Sequence, residues 1–364
     1  MKKLKKLIFV FMVLSLVLVA CAQTAPTEEE AAQTEEGAAT EEAEEITLVD
    51  FGYTGNIQTD LFGAYMAEPF MEANPNVTVE LIGGVSEDAI AQIKAAQGKS
   101  PIDTMLLGKP RYLQAAEEGW ILEIGNEDDI PNVVDVYPNI QEQCSPGAVA
   151  WTVEIIGLIY NPDLVPEPQS WEDLWNPEYE GLVGVVSPSS NAGFLFYSML
   201  ANTYGSGEDD LDALWAKLDE LEPFVVANNP EALSQLLENE EIGVAINWNT
   251  EAAVSLTKGY NVEFTLPAPG GIGQVGCYGV LKDTAYPEVA KAYVNTALGE
   301  DFQTVMSQAP FYFAPVNKNV ELTEDAAKIL PSADQYSSLI TIDYGLALPI
   351  REQLTDEFIR RYGQ

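Results

Sequence analysis

The sequence predicts an α/β fold: a mainly parallel sheet with helices on both faces. Two observations carry this. From residue 46 onward, short apolar runs bounded by turn residues alternate with helically spaced segments in strand–helix order. The runs at 103–107, 153–160 and 182–186 are apolar nearly throughout, as strands buried on both faces should be.

Taken in order, 46–51 reads as a strand, Gly52-Tyr53-Thr54-Gly55-Asn56 as a loop and 60–73 as a helix. A strand at 77–82 precedes a helix over 87–97, where Ile90, Ile93 and Ala96 recur at helical spacing. The strand 103–107 runs into Gly108-Lys109-Pro110, and 112–118 is the next helix. Strand 153–160 is broken by Gly157 and ends in the turn Asn161-Pro162. Pro166 and Pro168 then punctuate a linker, and Ser170 with Asp173 marks a capping box for a short helix. Strand 182–186 opens into a hydroxyl-rich loop, Ser187 to Gly193, followed by an apolar helical run. Free backbone N–H groups therefore face whatever lies in front of that loop. Beyond it come helices at 210–221 and 230–238, a strand at 223–227 between them, and a strand at 242–247 ending at Trp248-Asn249. A turn at 267–273 leads to a strand at 276–281, a helix at 287–297 and a final helix at 349–362, with Pro349 in its first turn. There is no internal repeat. In sheets of this kind ligands sit beyond the C-terminal strand ends, so the loops 52–56 and 108–110 should face one cleft.

Residues 1–20 read as a leader: four lysines, then a 13-residue apolar stretch too short to span a bilayer comfortably. Leu18-Val19-Ala20-Cys21 has the form of a lipobox, which makes Cys21 the expected lipid-bearing N-terminus. Residues 22–45 hold nine glutamates and no Lys or Arg, a composition that cannot bury a core and suits a disordered tether.

Charge and residue inventory exclude several functions. The chain has 57 acidic against 17 basic residues, net −40, which argues against nucleic acid and against direct contact with anionic lipid. It contains no histidine, so His-based triads, His general bases and most zinc sites are absent. No G-x-S-x-G, P-loop or cluster of metal ligands is present; Ser189 with Lys109 is the one arrangement an enzyme could use, and no enzyme, metal or cofactor is expected. If Cys21 takes lipid, Cys144 and Cys277 remain as a pair in an oxidising compartment. A disulfide and two separate buried thiols both fit that spacing.

A group of short motifs recurs in one known family: Tyr160-Asn161, Val165-Pro166, Ser170-Trp171, Asp173-Leu174-Trp175, Pro177, Tyr179, Gly181 and Ser187 to Asn191. With them the chain resembles the extracellular solute-binding proteins of bacterial ABC importers, in the group of spermidine/putrescine and iron(III) or phosphonate binders. The resemblance implies a two-lobed periplasmic-binding-protein type II fold with crossing hinge strands. Lobe 1 would comprise 46–154 plus 274–364 and lobe 2 would comprise 155–273. It also implies a monomer that captures a small polar solute between its lobes and delivers it to ABC permease subunits, with a ligand-presenting sensor subunit as the alternative.

On that reading the loops at Tyr53/Thr54, Gly108/Lys109, Ser189-Ser190-Asn191, Trp248/Asn249 and Gly273 to Tyr278, including Gln274, converge on the ligand, with Tyr312 a further candidate. Each has a second reading: Tyr53 and Trp248 could cap the core, Asn191 and Asn249 could be turn or cap residues, and Lys109 could be solvated. The ligand's charge stays open. Ala245-Ile246-Asn247-Trp248-Asn249 and Pro269-Gly270-Gly271 look like polyamine-binder loops, but the acidic residue those proteins carry falls at Gly276 here. The serine-rich loop is similar to an anion-holding loop, and Lys109 would suit an anion. The adjacent tyrosine pair of iron binders is missing. Glu154 is the one hinge carboxylate that could meet an amine, unless it faces solvent.

Overall fold

The computed structural model describes residues 44–363 except 56, 85, 97–99 and 222. The leader, Cys21 and nearly all of the expected tether therefore lie outside the described residues.

Among the described residues the strands are β1 (Ile46–Gly52), β2 (Val77–Gly83), β3 (Thr104–Gly108), β4 (Ala148–Tyr160), β5 (Val183–Val186), β6 (Val225–Ala227), β7 (Val244–Trp248), β8 (Glu263–Thr265), β9 (Ile272–Val280) and β10 (Ala314–Pro315). They join in one sheet in the order β2-β1-β3-β9-β4-β7-β5-β6, with β8 and β10 also paired to β4. The sheet corrects the expectation of mainly parallel pairing. It is parallel only in its flanks, where β1 meets β2 and β3 and where β5 meets β6 and β7. The middle is antiparallel: β9 runs against β3 and β4, and β4 against β7, β8 and β10. Helical crossovers enforce parallel pairing in the flanks, whereas β8 and β9 follow one another along β4 in a single direction, both antiparallel to it.

β4 and β9 are the two long strands that tie the halves together. Along the 13 residues of β4 every position is buried except Glu154, at its centre. Ile155 and Ile159 belong to one core, while Ile156, Leu158 and Tyr160 on the other face belong to a second. The first core also gathers β1, β3 and β9 with the helices at 57–73, 287–296 and 300–306. The second gathers the helices Asn191–Tyr204, Leu211–Leu221 and Arg351–Tyr362.

The last of these helices was expected with 274–364 in lobe 1; its Leu354 and Phe358 pack in the second core, as do Ile342 and Tyr344. The Phe358 ring centroid lies 5.0 Å from that of Tyr197, and the Arg361 guanidinium sits 5.0 Å over Trp215. Leu354 and Phe358, four apart, make an apolar stripe that must be covered, and the helix Asn191–Tyr204 supplies the matching face.

Three local differences bear on the site. Helix Lys109–Glu117 begins three residues before the expected start, so Lys109 lies in its first turn. Asn249–Thr257 is a helix that the sequence reading passed over, because its buried positions are mostly small (Ala252, Ala253, Ser255) and give little apolar periodicity. Ile57–Ala67 winds in the wide i→i+5 pattern before continuing as the α-helix Glu68–Ala73. Cys144 and Cys277 are joined by a disulfide with Cα atoms 5.6 Å apart, tying the segment before β4 to β9.

Candidate functional site

Register decides the centre of the site. Glu154 of β4 stands directly opposite Gln274 of β9, which places both side chains on one face of the sheet. Gln274 Nε2 donates to Glu154 Oε2 at 2.9 Å, and the Tyr53 hydroxyl donates to Glu154 Oε1 at 3.4 Å. On the far side Asn191 Nδ2 donates to Gln274 Oε1. One polar chain, Tyr53–Glu154–Gln274–Asn191, thus runs from the loop after β1, across both hinge strands, to the first residue of the helix Asn191–Tyr204.

Around Glu154 is a cavity of about 200 Å³. Phe51 and Gly52 line it from β1, Tyr53 from the loop that follows, Leu106 to Gly108 from β3, and Trp151 and Gly276 from β4 and β9. The aromatic rings brace one another: Tyr53 lies 5.9 Å from both Trp151 and Phe313, and Trp151 lies 5.2 Å from Phe62. Gly276 is required for the shape, because a Cβ there would come within 2.7 Å of Trp151 Nε1. An acidic side chain at that position, as in polyamine binders, would displace the tryptophan. The carboxyl group lining this cavity is that of Glu154, on the neighbouring strand.

Burial pushes the Glu154 carboxyl above the usual carboxylate range, partly offset by the hydrogen bonds from Gln274 and Tyr53. The Tyr53 phenol is held well above its ordinary value, first by burial and then by the Glu154 charge. An ionised carboxylate under those conditions favours a cation beside it.

The other expected site residues divide. Thr54 is exposed at the rim. Ser190 accepts from Gly193 N at 3.2 Å as the cap of the helix Asn191–Tyr204, and Ser189 Oγ pairs with Ser187 Oγ at 3.0 Å. Trp248 is half-buried as the residue preceding the helix Asn249–Thr257. Asn249 is 1% exposed and ties elements together: its Oδ1 accepts from Ile155 N at 3.2 Å and its Nδ2 donates to Tyr312 O at 3.1 Å.

Lys109, Tyr278 and Tyr312 do not join the Glu154 cavity. Lys109 Nζ donates to the backbone carbonyl and, at 3.0 Å, the side-chain oxygen of Gln143. The Tyr278 hydroxyl donates to Asp50 Oδ1 at 2.7 Å inside the core, four residues along β9 from Gln274 on the same face of the sheet. Tyr312 lines a separate pocket with Asp325 and Lys328. The sequence reading missed Trp151 and Phe51, although Trp151 lies in the apolar run of β4. It also missed Tyr344, whose buried hydroxyl has no hydrogen-bond partner.

Comparison with known proteins agrees with this architecture. Residues 65–331 match the family model of the bacterial extracellular solute-binding protein. The spermidine/putrescine-binding periplasmic protein of Escherichia coli is 26% identical over 172 residues, 45% of this chain and 48% of the relative, so the match spans about half of that relative's length. Among solved structures, one described as an extracellular solute-binding protein of Bordetella parapertussis superposes with a TM-score of 0.78 at 23% identity, covering 87% of this chain and 98% of the other. The spermidine/putrescine ABC transporter substrate-binding protein of Streptococcus pneumoniae gives 0.69 at 18% identity, covering 86% and 98%. These neighbours have the two-lobed periplasmic-binding-protein fold, and among the described residues no helix is long and apolar enough to cross a membrane. With its family model matched over most of the chain, this protein belongs to the bacterial extracellular solute-binding proteins, a family of non-enzymatic binders.

Proposed function

We propose that the chain captures a small amine-bearing solute between its two lobes and hands it to the permease of an ABC importer, working as a monomer tethered by lipid at Cys21. The observation that carries this reading is the Glu154 carboxylate. It lies in a cavity walled by Phe51, Tyr53 and Trp151 and is hydrogen-bonded through Gln274 to Asn191 of the other lobe. A cation placed there would engage the first lobe directly and the second through that polar chain, so it would stabilise the closed arrangement of the lobes. The curated relative named for spermidine and putrescine supports an amine. The anion reading, with its aminophosphonate and iron-chelate variants, is weakened because Lys109 is engaged by Gln143 and Ser190 by its own helix. A ligand-presenting sensor would use the same site with a different partner. For the lobes we propose 46–154 with 274–339, and 155–273 with 340–363.

The test is thermal unfolding of the protein with putrescine and spermidine, with 2-aminoethylphosphonate and phosphate, and with ferric citrate. A ligand at about 100 times its Kd should add roughly 2.7 kcal/mol. Stabilisation by amines that is lost in Glu154→Gln is expected. Stabilisation by phosphate alone, unaffected by that substitution, would overturn the reading.

A further inference from the structure

A second cavity, of about 530 Å³, lies against the first. Ile57, Pro310, Phe311 and Phe313 line it from one side, and Ala253 and Val254 of the helix Asn249–Thr257 from the other. Tyr53 and Glu154 belong to both cavities, so their side chains form the partition between a small chamber and a larger apolar one. Besides Glu154, the charged side chains on the larger chamber are Asp60 and Lys258, both exposed, and Lys258 is paired with Glu238 at 3.3 Å. Asp60, being exposed, is screened by solvent and offers a second ammonium only a weak partner.

We infer that the larger chamber receives the apolar body of the solute whose amine rests on Glu154, which makes the preferred solute a monoamine with an aliphatic or aromatic tail rather than a diamine. This rests on the amine reading of the same site. Its physical basis is the difference between the chambers. The carboxylate stands at their shared wall, where one ammonium can be paired. Beyond it Ile57, Ala253, Phe311 and Phe313 offer apolar contact, and a second ammonium carried among them would lose its hydration without a partner. Continuity through Tyr53 and Glu154 is what makes one elongated solute the occupant of both.

Ethylamine, pentylamine and putrescine separate the possibilities, because pentylamine and putrescine have equal numbers of non-hydrogen atoms and differ only in the second amine. Calorimetric titration of the protein should show pentylamine binding about ten-fold or more tighter than either of the others. Val254, exposed on the chamber wall, is the site for a second test: Val254→Glu should weaken pentylamine and strengthen putrescine, reversing their order. Putrescine binding at least as tightly as pentylamine, or an order unmoved by Val254→Glu, would overturn the inference. Ethylamine equal to pentylamine, with both lost in Glu154→Gln, would remove this inference and leave the amine site standing. No binding of any of the three would remove both.

Discussion

At the scale of single residues, two carboxyls with raised pKa values shape the expected response to pH. To hold an ammonium as proposed, Glu154 must be ionised, yet desolvation raises its pKa. Amine affinity should therefore fall as pH is lowered, beginning above the 4.5 of an ordinary glutamate. Titration calorimetry with one amine between pH 8 and 5 checks this, and an affinity constant across that range would count against Glu154 as the anchor.

Asp50 is the second. Its Oδ1 accepts from Thr104 Oγ1 and the Tyr278 hydroxyl, both at 2.7 Å, but burial dominates and raises its pKa from 3.8 to about 6. A carboxyl whose folded pKa is raised binds its proton more tightly when folded, so its contribution to stability is lost as pH rises from about 3.8 to about 6. The cost at neutral pH is on the order of 3 kcal/mol by the per-unit conversion. Asp50→Asn keeps an acceptor for Thr104 and Tyr278 without the charge. Relative to the variant, the parent protein should lose stability by that order between pH 4 and 7 in urea unfolding; parallel curves would show that burial of Asp50 is not costly.

At the scale of elements, the approach of the helix Asn191–Tyr204 to β5 places Asn191 beside Gln274. Ser190 caps this helix, and Gly193 lies so close to β5 that a Cβ would come within 2.3 Å of the Ser187 carbonyl oxygen and 2.4 Å of that of Val186. Ser190→Ala should cost about 1 kcal/mol. Gly193→Ala should cost more, roughly 1–3 kcal/mol or above, because backbone must shift. Urea midpoints rank the two, and the reverse order would show that the contact at Gly193 relaxes easily. Gly193→Ala should also weaken solute binding by moving Asn191, whereas Ser190→Ala should leave it nearly unchanged.

At the scale of the whole molecule, the Cys144–Cys277 bond closes a span of 133 residues that includes most of the second lobe. Constraining so long a loop in the unfolded chain stabilises the fold by about 2–5 kcal/mol. Reduction, or Cys144→Ser with Cys277→Ser, should lower the unfolding midpoint accordingly while leaving amine affinity little changed, since neither sulfur lines the Glu154 cavity. A large loss of affinity without loss of stability would contradict this.

The sequence by itself determined the strand and helix inventory of most of the chain and the two-lobed family, and it singled out Tyr53, Glu154, Asn191 and Gln274, which the fold joins in one hydrogen-bonded chain. These were legible because apolar runs, turn residues and the Ser170–Asp173 cap act locally, and because the motif spacing from Tyr160 to Asn191 is specific. Only the tertiary structure decided the rest. Antiparallel pairing of β4 with β9 set Glu154 opposite Gln274, and packing closed over Tyr278, whose hydroxyl meets Asp50. Packing drew the helix Arg351–Tyr362 onto the second core, because an apolar stripe shows that a helix needs a partner and not which one. The same holds for Lys109, whose position in a loop after a strand suggested the cleft until the fold brought the Gln143 carbonyl to it. Which face a strand residue presents, and which acceptor a long side chain finds, depend on neighbours distant in sequence, and local pattern carries no record of them.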